Sequence, residues 1–238
     1  LQKEKKRLAS AYLRATELAV LFSVPILAGM VVAAPHMILG LLGPNWEGSI
    51  LPLQVLGLVG VLSTGYPLSI NVANALGRVY AVSLRTGIFA LAIVVFGFLA
   101  LPWGIVGVSV AVTLAHLVMY FLMSGLALRS LDLSWSKFGS AHLPGLLIGA
   151  EVGVAAIGGR WLLELTGLPH LAILLGLMAI CAVALFVGLR TFPAGIRPDP
   201  LLSVLSESLP RLPTFIRRAL DTILEQNGNG SSNPSKRN

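Results

Sequence analysis

Six long apolar segments, separated by short polar or proline- and glycine-bearing connections, set the pattern of this chain. They predict membrane spans over residues 17–34, 50–76, 80–101, 105–128, 143–165 and 168–189. Each approaches or exceeds the roughly 20 residues a helix needs to cross a hydrocarbon core of about 30 Å. No segment alternates apolar and polar residues as a barrel strand would, so the backbone satisfies its polar groups within helices. The fold class is therefore all-α, a polytopic membrane bundle of six transmembrane helices.

The connections divide the chain further. Residues 1–16 are a charged helix start carrying Lys3, Lys5, Lys6, Arg7 and Arg14. Residues 17–128 hold the first four spans, and residues 129–142 form a polar connection whose Trp135 and Phe138 suit a segment lying on the membrane surface. Residues 143–190 hold the last two spans. Residues 191–225 include an amphipathic stretch, with Phe215, Ile216, Ala219, Leu220, Ile223 and Leu224 on one face, that fits the anionic inner leaflet. Residues 226–238 have the composition of a disordered tail.

The second span is irregular. It follows a GPNWEGS elbow, is interrupted by Gly65 and Pro67, and ends in NALGR. At 1.5 Å per residue its length is roughly 40 Å, more than a straight crossing requires. A tilt, a break at Gly65-Tyr66-Pro67, or projection into the cytoplasm follows, and a discontinuous helix is the expected form.

Charge placement sets the orientation. Apart from Arg160, the lysines and arginines lie before span one, between spans two and three (Arg85 just inside span three), between four and five, and after six. By the positive-inside rule both ends are cytoplasmic, as an even number of spans requires. The 55% hydrophobic and 11% charged composition and a mean hydropathy of +0.84 agree with an integral membrane protein. The net charge of +7 is spread between apolar segments and forms no nucleic-acid surface. Cys181, the one cysteine, lies in an apolar run and reads as packing. The charged first residues, without an initiating Met, are not a signal peptide and read as the start of the C-terminal portion of something longer.

Catalytic patterns are missing: no phosphate-binding GxxxxGK[ST], no HExxH, no cysteine pair and no GxSxG. The four histidines lack metal-ligand spacing. A non-enzymatic protein without metal or cofactor is expected. Polar residues within the spans carry the remaining signal, being costly in lipid. Arg85 either snorkels to the cytoplasmic headgroups or faces a cavity that binds an anionic substrate. Arg78, at the interface, is a weaker candidate. Asn71 and Asn74, three apart on one helix face, and Gln54 either bond between helices or line that cavity. His116 is either packed or a proton relay. Glu151 is the strongest single charge for proton or ion coupling; Arg160, about 13 Å along the helix, is too far to pair with it. Gly57, Gly60 and Gly65 read as packing, and Gly104, Gly107, Ser109 and Ala111 allow close contact of span four.

The stretch LLGPNWEGSILPLQVLGLVG followed by NVANALGR resembles the polysaccharide exporters of the multidrug/oligosaccharidyl-lipid/polysaccharide flippase superfamily. LQKEKKRLASAYLRATELAVLFSVPILAGM is similar to the charged helix start and span that precede it there. The likeness covers most of residues 1–130 and is nearest to the lipopolysaccharide and exopolysaccharide exporters. It implies a two-bundle transporter of about 12 to 14 helices. The six spans would be the last of fourteen: four in the second bundle and two accessory helices, with the N-terminal helices of the same protein missing. The fragment alone would then not transport. The implied activity is flipping a lipid-linked oligosaccharide or polysaccharide precursor across a bacterial inner membrane, alongside polysaccharide polymerase or glycosyltransferases. Arg85, Asn71, Asn74 and Gln54 are candidates by chemistry and position alone, since phosphate pairs well with Arg. Two alternatives remain: a cation-coupled multidrug extruder, which needs acidic cavity residues and has only Glu17 and Glu151, and a non-transporting scaffold of a polysaccharide synthase complex.

Overall fold

The computed structural model describes residues 2–191. The expected amphipathic segment and tail, residues 191–225 and 226–238, lie outside the described residues but for Thr191. Every described element is helical. α1 spans Gln2–Met37, followed by a π turn at Ile38–Leu42 and a 3-10 turn at Pro44–Ser49. α2 (Ile50–Ala75), α3 (Val79–Ala100), a 3-10 turn at Leu101–Trp103, α4 (Gly104–Leu131), α5 (Trp135–Glu164) and α6 (His170–Thr191) complete the described chain. Five helical stretches are long and apolar enough to cross a membrane: Lys3–Leu42, Pro44–Ala75, Val79–Leu131, Trp135–Glu164 and His170–Thr191.

The stretch Val79–Leu131 holds α3 and α4 folded back on each other. Arg85 Nε of α3 donates to Leu122 O of α4 at 3.2 Å, and Phe89 meets His116 edge-on with centroids 5.0 Å apart. Pro102 opens the turn between them, and Gly104 closes it at φ +62°, ψ −154°, a conformation that a side chain disfavours. α1 and α2 are likewise antiparallel, with Gly60 against Leu27 and Thr64 Oγ1 donating to Ser23 Oγ at 3.1 Å. α5 and α6 are antiparallel too, with Gly159 against Ile180 and Gly176 against Leu163.

Non-sequential neighbours run parallel. Gly145, Gly149 and Gly153 of α5 face Val20, Val24 and Ala28 of α1 in the same order. A Cβ on Gly145 would fall 2.6 Å from the Val20 carbonyl carbon, and one on Gly149 2.5 Å from Val24 Cγ1. This is the small-xxx-small seam by which membrane helices approach closely, since lipid offers no hydrophobic drive between them. α2 and α4 are also parallel, with Gly65 against Tyr120 and Thr113 Oγ1 donating to Val55 O at 3.4 Å. Helix direction therefore alternates from α1 through α6.

Several expectations change. α2 is one continuous helix through Gly65-Tyr66-Pro67, not a discontinuous one. Gly65 is small because the Tyr120 ring packs on it, and neighbouring helices tolerate the hydrogen bond that Pro67 forgoes. α1 runs past its expected end at residue 34, through Pro35 to Met37. The fourteen-residue surface connection at 129–142 shrinks to a tight turn, because α4 extends to Leu131 and α5 begins at Trp135. Asp132 closes α4 in the left-handed region at φ 55°, with Leu133 N donating to Leu128 O at 2.9 Å. Phe138 is buried, stacked on Tyr12 with centroids 6.0 Å apart, rather than lying on the membrane surface. α5, one of the two helices expected to be accessory, packs along α1 through the glycine seam.

Candidate functional site

The six candidate residues do not converge. Gln54 sits one turn into α2 and Asn71 near its far end, roughly 25 Å away along the axis. Asn71 and Asn74 are exposed, and their side chains bond no other described residue. Arg85 is half-buried, and it donates through Nη1 to Ala81 O at 2.9 Å and through Nε to Leu122 O at 3.2 Å. The side chain thus turns back toward the start of its own helix, the snorkelling geometry. His116 shares its Nδ1 proton with Val112 O at 2.8 Å and packs between Phe89 and Tyr66. That is the packed arrangement of a helix histidine. Glu151 lies against α6, where a Cβ on Gly188 would come within 2.7 Å of its Oε2.

A different group does converge, at the end of the bundle where α1 and α5 finish and α6 begins. His36 is 3% exposed. Its Nε2 donates to Glu164 Oε1 at 3.1 Å, because a carboxylate oxygen can only accept. With that proton on Nε2, the neutral ring accepts at Nδ1 from His170 Nδ1, 3.1 Å away. Arg160 Nε donates to the same Glu164 Oε1 at 2.8 Å, one helical turn earlier on α5. One carboxylate oxygen thereby ties α5 to α1, and the His36–His170 contact carries the link on to α6. The other oxygen, Oε2, and both Nη groups of Arg160 have no partner among the described residues.

Beside this chain of bonds runs a groove of about 300 Å³ that Gln54, Arg160, Trp161 and Glu164 line together with Val31 and Ile157. Gln54 anchors its own amide by donating to Val31 O at 3.0 Å, which leaves its carbonyl oxygen available. Of the sequence candidates, Gln54 alone belongs here.

A model of a family described as polysaccharide biosynthesis protein matches residues 1–51. No curated protein and no solved structure matches the chain. The match takes in α1, the π turn, the GPNWEGS turn and the first residues of α2. The chain is a multi-pass membrane protein whose first helix and elbow are similar to polysaccharide biosynthesis proteins. His36 falls within the matched stretch, whereas Gln54, Asn71, Asn74, Arg85, His116 and Glu151 all fall outside it.

The four histidines lack metal-ligand spacing along the chain, and among the described residues no group of three or more His, Cys, Asp or Glu could hold a metal ion. The cluster is of another kind. One signal for it was present: Arg160 and Glu164 are four apart on one helix, the ordinary ion-pair spacing. The distance argument excluded Glu151 as the partner of Arg160, and Glu164 on the other side takes that place.

Proposed function

We propose that this chain is a transporter component that flips or exports a lipid-linked oligosaccharide or polysaccharide precursor across a bacterial inner membrane, and not an enzyme. The observation that carries this reading is the match of residues 1–51 to polysaccharide biosynthesis proteins on a chain with several membrane-spanning helices. Alternating helix direction supports six crossings, with the start of α1 and the end of α6 on one face. The basic residues at the α1 start, at Arg78 and at Arg129 support a cytoplasmic face there. Further helices of the same protein would complete a two-bundle transporter that rocks around a midplane site.

A scaffold role within a polysaccharide synthase complex is the second reading. One observation favours it: Arg85, Asn71, Asn74 and Gln54 share no cavity among the described residues. The test is restoration of surface polysaccharide in a strain deleted for this gene. Recovery of polymer by the full-length protein, with lipid-linked repeat units no longer accumulating inside, is expected. Persistent accumulation of those units despite a correctly inserted protein would overturn the transport reading. Arg85→Ala then separates the roles of that residue. Its carbonyl contacts predict near-normal polymer, whereas a substrate cation would give a severe loss.

A further inference from the structure

The groove beside His36 and Glu164 has unspent hydrogen-bonding capacity of both signs. Arg160 keeps its Nη donors, Glu164 keeps Oε2 as an acceptor, and Gln54 keeps its carbonyl oxygen and one amide N–H. Neighbouring hydroxyls on a sugar ring each need a donor and an acceptor, and an adjacent carboxylate and guanidinium supply both. Trp161 stands at the rim with 64% of its surface exposed and nothing stacked on it among the described residues. An indole face packs well on the apolar C–H face of a pyranose, burying a large area at little entropic cost. The groove volume, about 300 Å³, lies at the small end of ligand sites and suits one ring rather than a chain.

The charges decide against the lipid pyrophosphate as ligand. Arg160 is neutralised by Glu164 at 2.8 Å, and the second oxygen of that carboxylate would repel a phosphate. His36, itself bonded by His170, holds Glu164 in place from the far side, so the acceptor is oriented before any ligand arrives.

We propose that Trp161, Arg160, Glu164 and Gln54 form a subsite for one pyranose ring of a saccharide, on the bundle end opposite the basic start of α1. The assignment rests on the reading above that the cargo carries sugar.

A belt tryptophan at the membrane interface would also be exposed, and the test must separate the two. The full-length protein in lipid nanodiscs is titrated by calorimetry with the oligosaccharide repeat released by mild acid from the host's surface polysaccharide, and separately with inorganic pyrophosphate. Binding of the oligosaccharide is expected, weakened at least about tenfold by Trp161→Ala, equivalent to the area lost under one ring. Trp161→Phe should recover most of it, Glu164→Gln should weaken it, and pyrophosphate should not compete. Trp161 is exposed enough that its loss leaves the core intact, which an unchanged unfolding midpoint confirms. Equal binding by wild type, Trp161→Ala and Glu164→Gln overturns the subsite. So does an absence of binding by protein that restores export, which leaves the transport reading standing. Trp161-dependent binding by a protein that fails to restore export does the reverse: the subsite stands and the transport reading falls.

Discussion

At the end of the bundle where α1 begins, polar groups close on one another. Tyr12 and Ser69 share a hydrogen bond at 2.8 Å in a buried setting, and the Tyr120 hydroxyl donates to His142 Nε2. His142 Nδ1 in turn donates to Phe138 O at 2.8 Å, so both ring nitrogens are occupied. At the other end, His36, Glu164 and Arg160 are also linked, yet half of each exposed group remains unspent and opens on a groove. Both ends contain histidine, an aromatic ring and a helix-to-helix bond. What differs is leftover valence. A satisfied buried network rigidifies the fold, whereas an oriented but incomplete one can accept a ligand.

The contrast depends on α1 and α5 staying in register, because both ends are assembled across that pair. The largest expected effect is therefore at the glycine seam. Gly145→Leu drives a side chain into the Val20 backbone, which cannot move aside as a side chain could. Overpacking of this kind costs about 1–3 kcal/mol, and more where backbone must shift. Loss of folded protein, read by thermal unfolding in detergent, is expected, and Gly149→Leu should behave alike. Gly153→Ala is the control, since its Cβ would meet Ala28 Cβ at an ordinary 3.8 Å. Equal midpoints for Gly145→Leu and Gly153→Ala would mean that the seam does not hold the helices.

Within the open end, His36 is the buried member and should behave like a residue of the closed end. His36→Ala removes the donor to Glu164 and opens a gap at a site 3% exposed. A destabilisation of about 1–3 kcal/mol is expected, against less than about 1 kcal/mol for Glu164→Gln, whose side chain is 42% exposed. Chemical unfolding of the two variants checks the order. A larger loss for Glu164→Gln would erase the division of that cluster into a support and a face.

At the closed end, Tyr120→Phe removes one hydroxyl and leaves His142 Nε2 without its donor. Hydrogen bonds between membrane helices average about 0.6 kcal/mol and reach about 1.7. A loss in that range, with export unchanged, is the expected result. Impaired export at full stability would show that the closed end does more than hold helices together.

How much of this was legible in the chain follows from what apolar runs encode. They mark where helices lie, so α2 starts at Ile50 as expected, and α3 and α6 fall close to their predicted ranges. Gly57, Gly60 and Gly65 were rightly read as packing: they meet Val31, Leu27 and Tyr120. Runs do not say which helices are neighbours. Gly145, Gly149 and Gly153 carry the spacing of a packing seam as plainly as Gly104 and Gly107, yet only structure shows that α1 lies across it. Gly107 instead meets Trp103 and Ala100 within its own turn. Pro67 misled for a related reason. A proline advertises a break, and whether one forms depends on neighbours the sequence does not name. The site was hidden for the same cause, since His36, Arg160, Glu164 and His170 sit at helix ends that look unrelated until the bundle closes.

The smallest effect tests whether charge at the closed end matters at all. Lys5 Nζ lies 2.6 Å from Asp132 Oδ2, tying the first turns of α1 to the turn between α4 and α5. The Lys5 and Asp132 side chains are 36% and 79% exposed, so solvent and salt screen the pair. Lys5→Ala should cost about 0.2–1 kcal/mol, and raising ionic strength should remove most of the difference. Asp132→Asn isolates the charge from the backbone, because Asn also tolerates the left-handed conformation at φ 55°. It should match Lys5→Ala, and the double variant should cost no more than either alone. If Asp132→Asn is much the worse of the two, the aspartate's charge acts on a group other than its lysine. If neither variant changes stability, the closed end owes its rigidity to that turn and to its buried aromatic network.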